Sequence, residues 1–144
     1  MLTCVDARVA PSHFAGLELG DVLVMRNVGG RVTDTVGLEM SILWTLMTMA
    51  AGKEPHMELA IVHHTSCGME RFSDPTVAAK VTEKFGISSI VATYAIEEPH
   101  LSVATDIERL RNDERVPGGL NVSGHVYDIA TGRLSTVVET VRLR

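Results

Sequence analysis

Short apolar runs alternate with stretches of helical periodicity along the chain. The apolar run at 59–63 is bounded by polar residues, which is typical of a strand buried on both faces. Between 36 and 47, apolar side chains recur at spacings of three and four residues, which predicts a helix that begins at 33–35 and is closed by Gly52. The same patterns predict further strands at 2–5 and 21–27, and further helices at 75–85 and 102–111.

The C-terminal part of the chain predicts a hairpin. Two strand-like runs, 121–129 and 134–141, flank an Ala-Thr-Gly turn signal at 130–132. The stretch 87–98 is rich in β-branched residues, but we interpret it as an ordered loop. Strands that alternate with helices and end in a hairpin predict an α/β fold: an open sheet with parallel central strands, an antiparallel C-terminal edge strand and flanking helices.

The residues that can carry chemistry lie at two predicted strand ends. Cys4 and Cys67 are the only cysteines, and His64 precedes Cys67 by three positions. In open sheets of this kind, ligands bind beyond the carboxyl ends of strands, so neighbouring first and third strands would bring these residues together. Two thiolates and one imidazole are three protein ligands, and a catalytic zinc keeps its fourth position open for water. The sequence therefore predicts Zn²⁺ on Cys4, His64 and Cys67, whereas His63 faces the other way and is assigned to packing or an interface.

Two simpler interpretations of the cysteines remain open. Cys4 and Cys67 could be buried free thiols that behave as small hydrophobic residues. They could also form a disulfide if the protein were secreted. The joint pattern favours the metal interpretation, because Asp6 and Arg8 follow Cys4 at alternate positions.

Asp6 and Arg8 are predicted to act beside the metal. In an extended chain they lie on the same side as Cys4, so Asp6 can accept a hydrogen bond from zinc-bound hydroxide. Arg8 can hold Asp6 ionised through a bidentate pair, without which Asp6 could turn onto the metal; the alternative is a plain surface salt bridge. The backbone N–H of Gly68 is assigned to a substrate oxygen that gains negative charge.

Composition narrows the function classes. The chain has 144 residues with 45% hydrophobic composition, which predicts a single domain over 1–144 that needs no disulfide. A net charge of −5 argues against a nucleic-acid partner. The apolar segment 42–51 is too short to span a bilayer, and no secretory signal opens the sequence. We therefore expect a cytoplasmic protein with no membrane partner.

Four motifs follow one another along the chain. They are Cys-x-Asp-x-Arg at 4–8, Gly-Asp-(x)4-Arg-Asn-x-Gly at 20–29, His-x-x-Cys-Gly at 64–68 and Gly-His-Val-Tyr-Asp-Ile-Ala-Thr-Gly at 124–132. In this combination the chain resembles the β-class carbonic anhydrases over essentially its whole length. The doubled histidine at 63–64 and the short length are most similar to a compact subgroup, in which some members hydrolyse carbonyl sulfide or carbon disulfide.

The resemblance implies zinc on Cys4, His64 and Cys67, an Asp6–Arg8 dyad and an active site at a dimer interface. The expected reaction is reversible hydration of CO₂ to bicarbonate by zinc-bound hydroxide. Hydrolysis of carbonyl sulfide or carbon disulfide and a non-catalytic zinc protein are the alternatives. We expect a homodimer or higher even-numbered oligomer. Because members usually carry a helical segment before the first cysteine, this chain is expected to lack it.

Overall fold

The computed structural model describes residues 1–87 and 89–144 as a five-stranded sheet with helices packed against it. The strands are β1 (Leu2–Cys4), β2 (Met25–Asn27), β3 (Glu58–His64), β4 (Asn121–Asp128) and β5 (Arg133–Arg142). The helices are α1 (Pro11–Phe14), α2 (Asp34–Ala51), α3 (Pro75–Phe85), α4 (Ile90–Tyr94) and α5 (Pro99–Asn112). Two 3₁₀ turns, Val28–Gly30 and Gly68–Ser73, follow β2 and β3.

The strand order is β2-β1-β3-β4-β5. β1 runs parallel to both β2 and β3, and β3 runs parallel to β4, whereas β4 and β5 pair antiparallel. This arrangement confirms the predicted α/β class with its parallel centre and antiparallel edge. It also confirms that the first and third strands are neighbours. Their carboxyl ends, at Cys4 and His64, therefore lie at the same edge of the sheet.

The main core lies between the sheet and the helices α2 and α5. Gly124 on β4 permits the close approach of α5, because a Cβ there would lie 2.4 Å from Cγ1 of Val103. Burial of the apolar side chains is the main force that holds these elements together. Representative buried members of this core are Leu2, Val36, Met40, Leu59, Ile61, Val103, Ile107 and Val126.

Local signals place the ends of α2 and α3 as predicted. α2 begins after Thr33 and ends at Gly52, which adopts a left-handed conformation with φ 68°. α3 begins after Asp74, whose carboxylate accepts a hydrogen bond from the backbone N–H of Thr76 at 2.7 Å. It ends at Gly86, so both boundaries follow from residues close to them in sequence.

Two predictions of secondary structure are wrong. The strand predicted over 21–27 is only Met25–Asn27, because β2 pairs on one side and the apolar side chains at 22–24 are exposed. The stretch 87–98 contains the short helix Ile90–Tyr94 instead of being loop throughout. Its β-branched residues lower intrinsic helix propensity, so the sequence pattern did not indicate it. Residue 88, within that stretch, lies outside the described residues.

None of the described helices combines the length and apolar character needed to cross a membrane.

Candidate metal centre

The structure brings Cys4, His64 and Cys67 together at the carboxyl ends of β1 and β3. One ligand atom from each lies within 4.8 Å of the others, and all three residues are buried. Cys4 ends β1 and His64 ends β3, while Cys67 follows after a tight turn in which Ser66 has φ 56°. The parallel pairing of β1 with β3 thus converts a wide separation in sequence into a compact donor set.

The imidazole of His64 is oriented as a metal ligand would be. Its Nδ1 lies 3.0 Å from the carbonyl oxygen of Thr65, and a carbonyl only accepts, so Nδ1 carries the proton. Nε2 is then left with a free lone pair, and this buried atom has no hydrogen-bond partner among the described residues. A divalent zinc ion would satisfy that lone pair, and two sulfurs with one imidazole nitrogen are donors that zinc prefers.

The two thiols differ in their acidity. The neighbouring side chains of Cys67 and His64 lower the pKa of Cys4, helped by backbone N–H groups that include that of Asp6, 3.4 Å from Sγ. Proximity to Cys4 and burial raise the pKa of Cys67. A metal binds both residues as thiolates, so its binding would release protons from the centre.

Asp6 and Arg8 form a bidentate pair beside these donors. Nε of Arg8 donates to Oδ1 of Asp6 at 2.9 Å and Nη2 donates to Oδ2 at 2.6 Å. This pairing holds the pKa of Asp6 well below its usual range. Nη2 of Arg8 also donates to the carbonyl oxygen of Ser66 at 3.0 Å. The pair is thereby tied to the turn between His64 and Cys67.

Arg26 on β2 holds the loop that carries Asp6. Its Nε donates to the carbonyl oxygen of Cys4 at 3.0 Å, and its Nη2 donates to those of Asp6 and Val9 at 2.9 and 2.7 Å. One guanidinium thus fixes the backbone at three points along residues 4–9. The sequence motif at 20–29 contained this arginine, but its partners are backbone atoms that no pattern specifies.

Gly68 and His63 lie on different sides of the centre. Gly68 begins the 3₁₀ turn directly after Cys67, and a Cβ there would meet nothing within 4 Å, so the space beside it is open. Its role toward an oxyanion stays a prediction. His63 is fully buried and faces away from the donor set, with Nε2 3.1 Å from Oδ2 of Asp106. It therefore packs in the interior of the chain.

Sequence reasoning missed a chain of hydrogen bonds between polar side chains in the interior near this centre. Asn27 holds Arg31 through two hydrogen bonds of 2.8 Å, and Arg31 in turn pairs with Asp106 on α5. One signal was available: Asp106 lies among apolar residues on the buried face of a predicted helix, where a carboxylate needs a partner. The identity of that partner could not be read from spacing.

Comparisons with known proteins agree with this fold. A sequence model of the carbonic anhydrase family matches residues 1–116. Beta-carbonic anhydrase 1 of Mycobacterium tuberculosis is 28% identical over 95% of this chain and 80% of its own length. Carbon disulfide hydrolase of Acidianus is 30% identical over 93% of this chain and 74% of its own length.

Solved structures of carbonic anhydrases and a carbon disulfide hydrolase have a similar fold. The carbonic anhydrase of Streptococcus mutans has a TM-score of 0.74 and 29% identity, and the match covers 94% of this chain and 78% of that one. An apo carbon disulfide hydrolase has a TM-score of 0.66 and 28% identity over 93% of this chain and 75% of that one. Fold and donor set together define the class, an α/β protein with a Cys–His–Cys group that could hold a metal ion. Within that class, the chain belongs to the β-carbonic anhydrase family.

Proposed function

We propose that this protein is a zinc-dependent carbonic anhydrase that catalyses the reversible hydration of CO₂ to bicarbonate. The observation that carries the proposal is the buried set Cys4, His64 and Cys67 beside the Asp6–Arg8 pair, in which Nε2 of His64 has no hydrogen-bond partner within the described part of the chain. Membership of the β-carbonic anhydrase family supports the same activity. We assign Zn²⁺ to these three residues.

Bound zinc supplies a Lewis acid that lowers the pKa of water toward neutrality. Asp6 is ionised because Arg8 donates to both of its oxygens, so it can accept a hydrogen bond from the attacking water and orient a lone pair toward the carbon of CO₂. The same pairing keeps Asp6 from turning onto the metal ligands. The backbone N–H of Gly68 is assigned to the oxygen that gains negative charge.

A second candidate function is hydrolysis of carbon disulfide or carbonyl sulfide at the same centre. It is favoured by the relative from Acidianus, which is named a carbon disulfide hydrolase and is 30% identical. The chemistry is closely similar, because each substrate is linear and is attacked at its central carbon. Residue types at the centre do not separate the two functions, so the substrate must be decided by assay.

The deciding experiment measures CO₂ hydration and sulfide release on one zinc-loaded preparation. We expect CO₂ hydration above the uncatalysed rate, with slower or no sulfide release. Sulfide release without CO₂ turnover would replace the first proposal by the second. One zinc per chain with no turnover of CO₂, carbonyl sulfide or carbon disulfide would instead leave a non-catalytic zinc protein.

We further propose a homodimer or higher even-numbered oligomer. The buried residues of α2 all lie in its first half, at Val36, Gly37 and Met40. Four large apolar side chains between Ile42 and Met49 are exposed: Ile42, Leu46, Met47 and Met49. Burial of such a patch contributes roughly 25 cal/mol per Å², which favours association. Sedimentation at micromolar concentration distinguishes this assembly from a monomer.

The cytoplasm is the location we propose. Cys4 and Cys67 are free thiols, and a reducing compartment keeps such pairs available for a metal. Fractionation of the source cells tests this assignment, and recovery with secreted proteins would contradict it.

A further inference from the structure

A buried network of ionised side chains lies on the side of β3 that faces α5. At its centre is Asp106, which is fully buried. Its Oδ2 accepts from Nε of Arg31 at 2.9 Å, the backbone N–H of Val32 at 3.1 Å and Nε2 of His63 at 3.1 Å. Its Oδ1 accepts from Nη2 of Arg31 and Nη1 of Arg109, both at 3.0 Å. The donors thus come from three parts of the chain: residues 31–32, His63 and Arg109.

Stability alone is a weak reason for such a network. Arg31 is only 3% exposed, so both members of its pair with Asp106 have lost their hydration. The cost of removing two charges from water is comparable with their attraction, and apolar residues of similar size often stabilise a core as well. What a bidentate pair adds is fixed geometry. The question is therefore which parts of the molecule it fixes.

The first part is the glycine turn against Cys4. Arg31 directly follows Gly30, and Asn27 bonds both backbone groups of Arg31. A Cβ on Gly30 would lie 2.8 Å from the backbone nitrogen of Cys4, so this turn rests on the backbone of a metal ligand. The Arg31–Asp106 pair anchors the far end of the turn.

The second part is the end of β3. Because an ionised carboxylate only accepts, Nε2 of His63 donates to Asp106, and this bond fixes the ring of His63. Neighbouring side chains on a strand point to opposite faces. Holding His63 toward Asp106 therefore holds His64 toward Cys4 and Cys67.

The third part is the apolar wall over the sulfurs. Nη1 of Arg31 donates to the carbonyl oxygen of Ala95, and the next residue, Ile96, is fully buried. Ile96 packs in one cluster with Cys4 and Cys67. Arg31 and Asp106 thus hold three segments beside the donor set: the glycine turn against Cys4, the end of β3, and the segment that carries Ile96.

We propose that the Arg31–Asp106 pair is a positioning device for the metal centre, which sets the separation of the Cys4 and His64 donors and thereby the affinity for zinc. The inference deepens the proposed function and rests on its zinc site. Neither residue contacts the metal ligands through its side chain, so both act through the segments that they hold.

The test compares two arginine–aspartate pairs of the same geometry. Arg115 also forms a bidentate pair, with Asp113, at 2.8 and 2.7 Å, but at the surface. Arg31→Lys keeps the buried charge balanced while it loses the bidentate contact, and Arg115→Lys is the matched control. Zinc affinity is measured by competition with a chromophoric chelator, on protein shown to be folded by circular dichroism. The absorption spectrum of each Co²⁺-substituted protein is recorded as well.

We expect Arg31→Lys to lower zinc affinity by about tenfold, the range found for residues that orient metal ligands, and to shift the Co²⁺ bands. The rise in Tm that zinc produces should also be smaller in Arg31→Lys than in the original protein, because the stabilisation by a bound ligand grows with the logarithm of its affinity. Arg115→Lys should match the original protein in all three measurements.

A less stable Arg31→Lys protein that retains the original zinc affinity and Co²⁺ spectrum would contradict the proposal, since the pair would then serve stability alone. The companion variant Asp106→Asn, with Asp113→Asn as its control, should lower zinc affinity in the same direction. Failure of Asp106→Asn to fold leaves Arg31→Lys as the deciding variant. If the original protein itself bound no zinc, the proposed function would fail, which is a result distinct from unchanged binding in Arg31→Lys.

Discussion

At the scale of single residues, the metal centre depends on which atom of each side chain is left free. His64 uses Nδ1 on the carbonyl of Thr65 and leaves Nε2 buried without a partner among the described residues. A buried polar atom without a partner costs about 1–3 kcal/mol, so its presence requires a reason. The proposed zinc would supply that reason, which makes His64 the histidine to test first.

Replacement of His64 by Ala should abolish stoichiometric zinc binding, because a centre with two thiols alone loses one of its three donors. Cys67→Ser should do the same. His125→Ala is the matched control, because His125 lies on β4 and bonds Ser123 and Thr136 away from the donor set. Metal analysis after dialysis measures the outcome. Retention of one zinc per chain by the Cys67 variant would show that the ligand set is wrong.

Replacement of Asp6 by Ala should leave zinc bound and reduce CO₂ turnover by about 100-fold or more, the lower range for loss of a positioned acid–base group. Asp113→Ala is the control, since Asp113 forms the same kind of pair with Arg115 away from the centre. Stopped-flow hydration assays at equal zinc content give the comparison. Full activity in the Asp6 variant would reduce the Asp6–Arg8 pair to a surface salt bridge.

At the scale of elements, residues close in sequence predicted where helices begin and end. Features that depend on tertiary contacts could not be predicted. The ends of α2 and α3 follow from Thr33, Gly52 and Asp74, which act within a turn of their own positions. The extent of β2 could not be predicted, because only pairing with β1 decides where an edge strand stops. The donors Cys4, His64 and Cys67 were predictable because chemistry restricts their types and spacing.

The Arg31–Asp106 pair could not be predicted for a related reason. Its members are 75 positions apart, and their meeting depends on how α5 packs against the sheet. Many carboxylates and arginines in the chain could have paired instead, and the sequence carries no pattern that excludes them.

The ionisation of Asp106 links the packing of α5 to pH. Burial opposes ionisation, but the hydrogen bonds from His63 and Arg31 outweigh it and hold the pKa of Asp106 below its usual value. Because the unfolded chain has an ordinary pKa of about 3.9 there, Asp106 stabilises the fold above that pH, and the contribution is lost as pH falls through the folded pKa.

Urea unfolding of metal-free protein between pH 7 and pH 3 tests this linkage with Asp106→Asn. The variant should lose about 3–5 kcal/mol at pH 7, because two arginines lose their buried partner. The difference from the original protein should stay constant down to about pH 5 and narrow below about pH 4. A difference that does not change with pH would mean that folding leaves the pKa of Asp106 unshifted, and a difference that grows as pH falls would mean that the folded protein holds Asp106 neutral.

At the scale of the whole molecule, the sheet ends in an edge strand and α2 extends an apolar surface beyond the core. A partner that covers α2 from Ile42 onward would explain why Ile42, Leu46 and Met49 are apolar although each is exposed on the single chain. The proposed oligomer follows from that surface.

A charge placed on this surface should separate the subunits. Leu46 is 57% exposed on α2, and Leu101 is 68% exposed on α5, so Leu46→Glu and Leu101→Glu are a matched pair. Sedimentation velocity at micromolar concentration should show a smaller species for Leu46→Glu and an unchanged one for Leu101→Glu. An original protein that sediments as a monomer would contradict the proposed assembly.

The central claim is that the buried Cys4–His64–Cys67 set holds a zinc ion that supports CO₂ hydration. Its most direct test is the stopped-flow rate of CO₂ hydration by protein of known zinc content, measured before and after chelation and after zinc is returned. We predict one zinc per chain, catalysis that disappears with the metal, and recovery on its return. Protein that contains one zinc per chain and leaves CO₂ hydration at the uncatalysed rate would contradict the account.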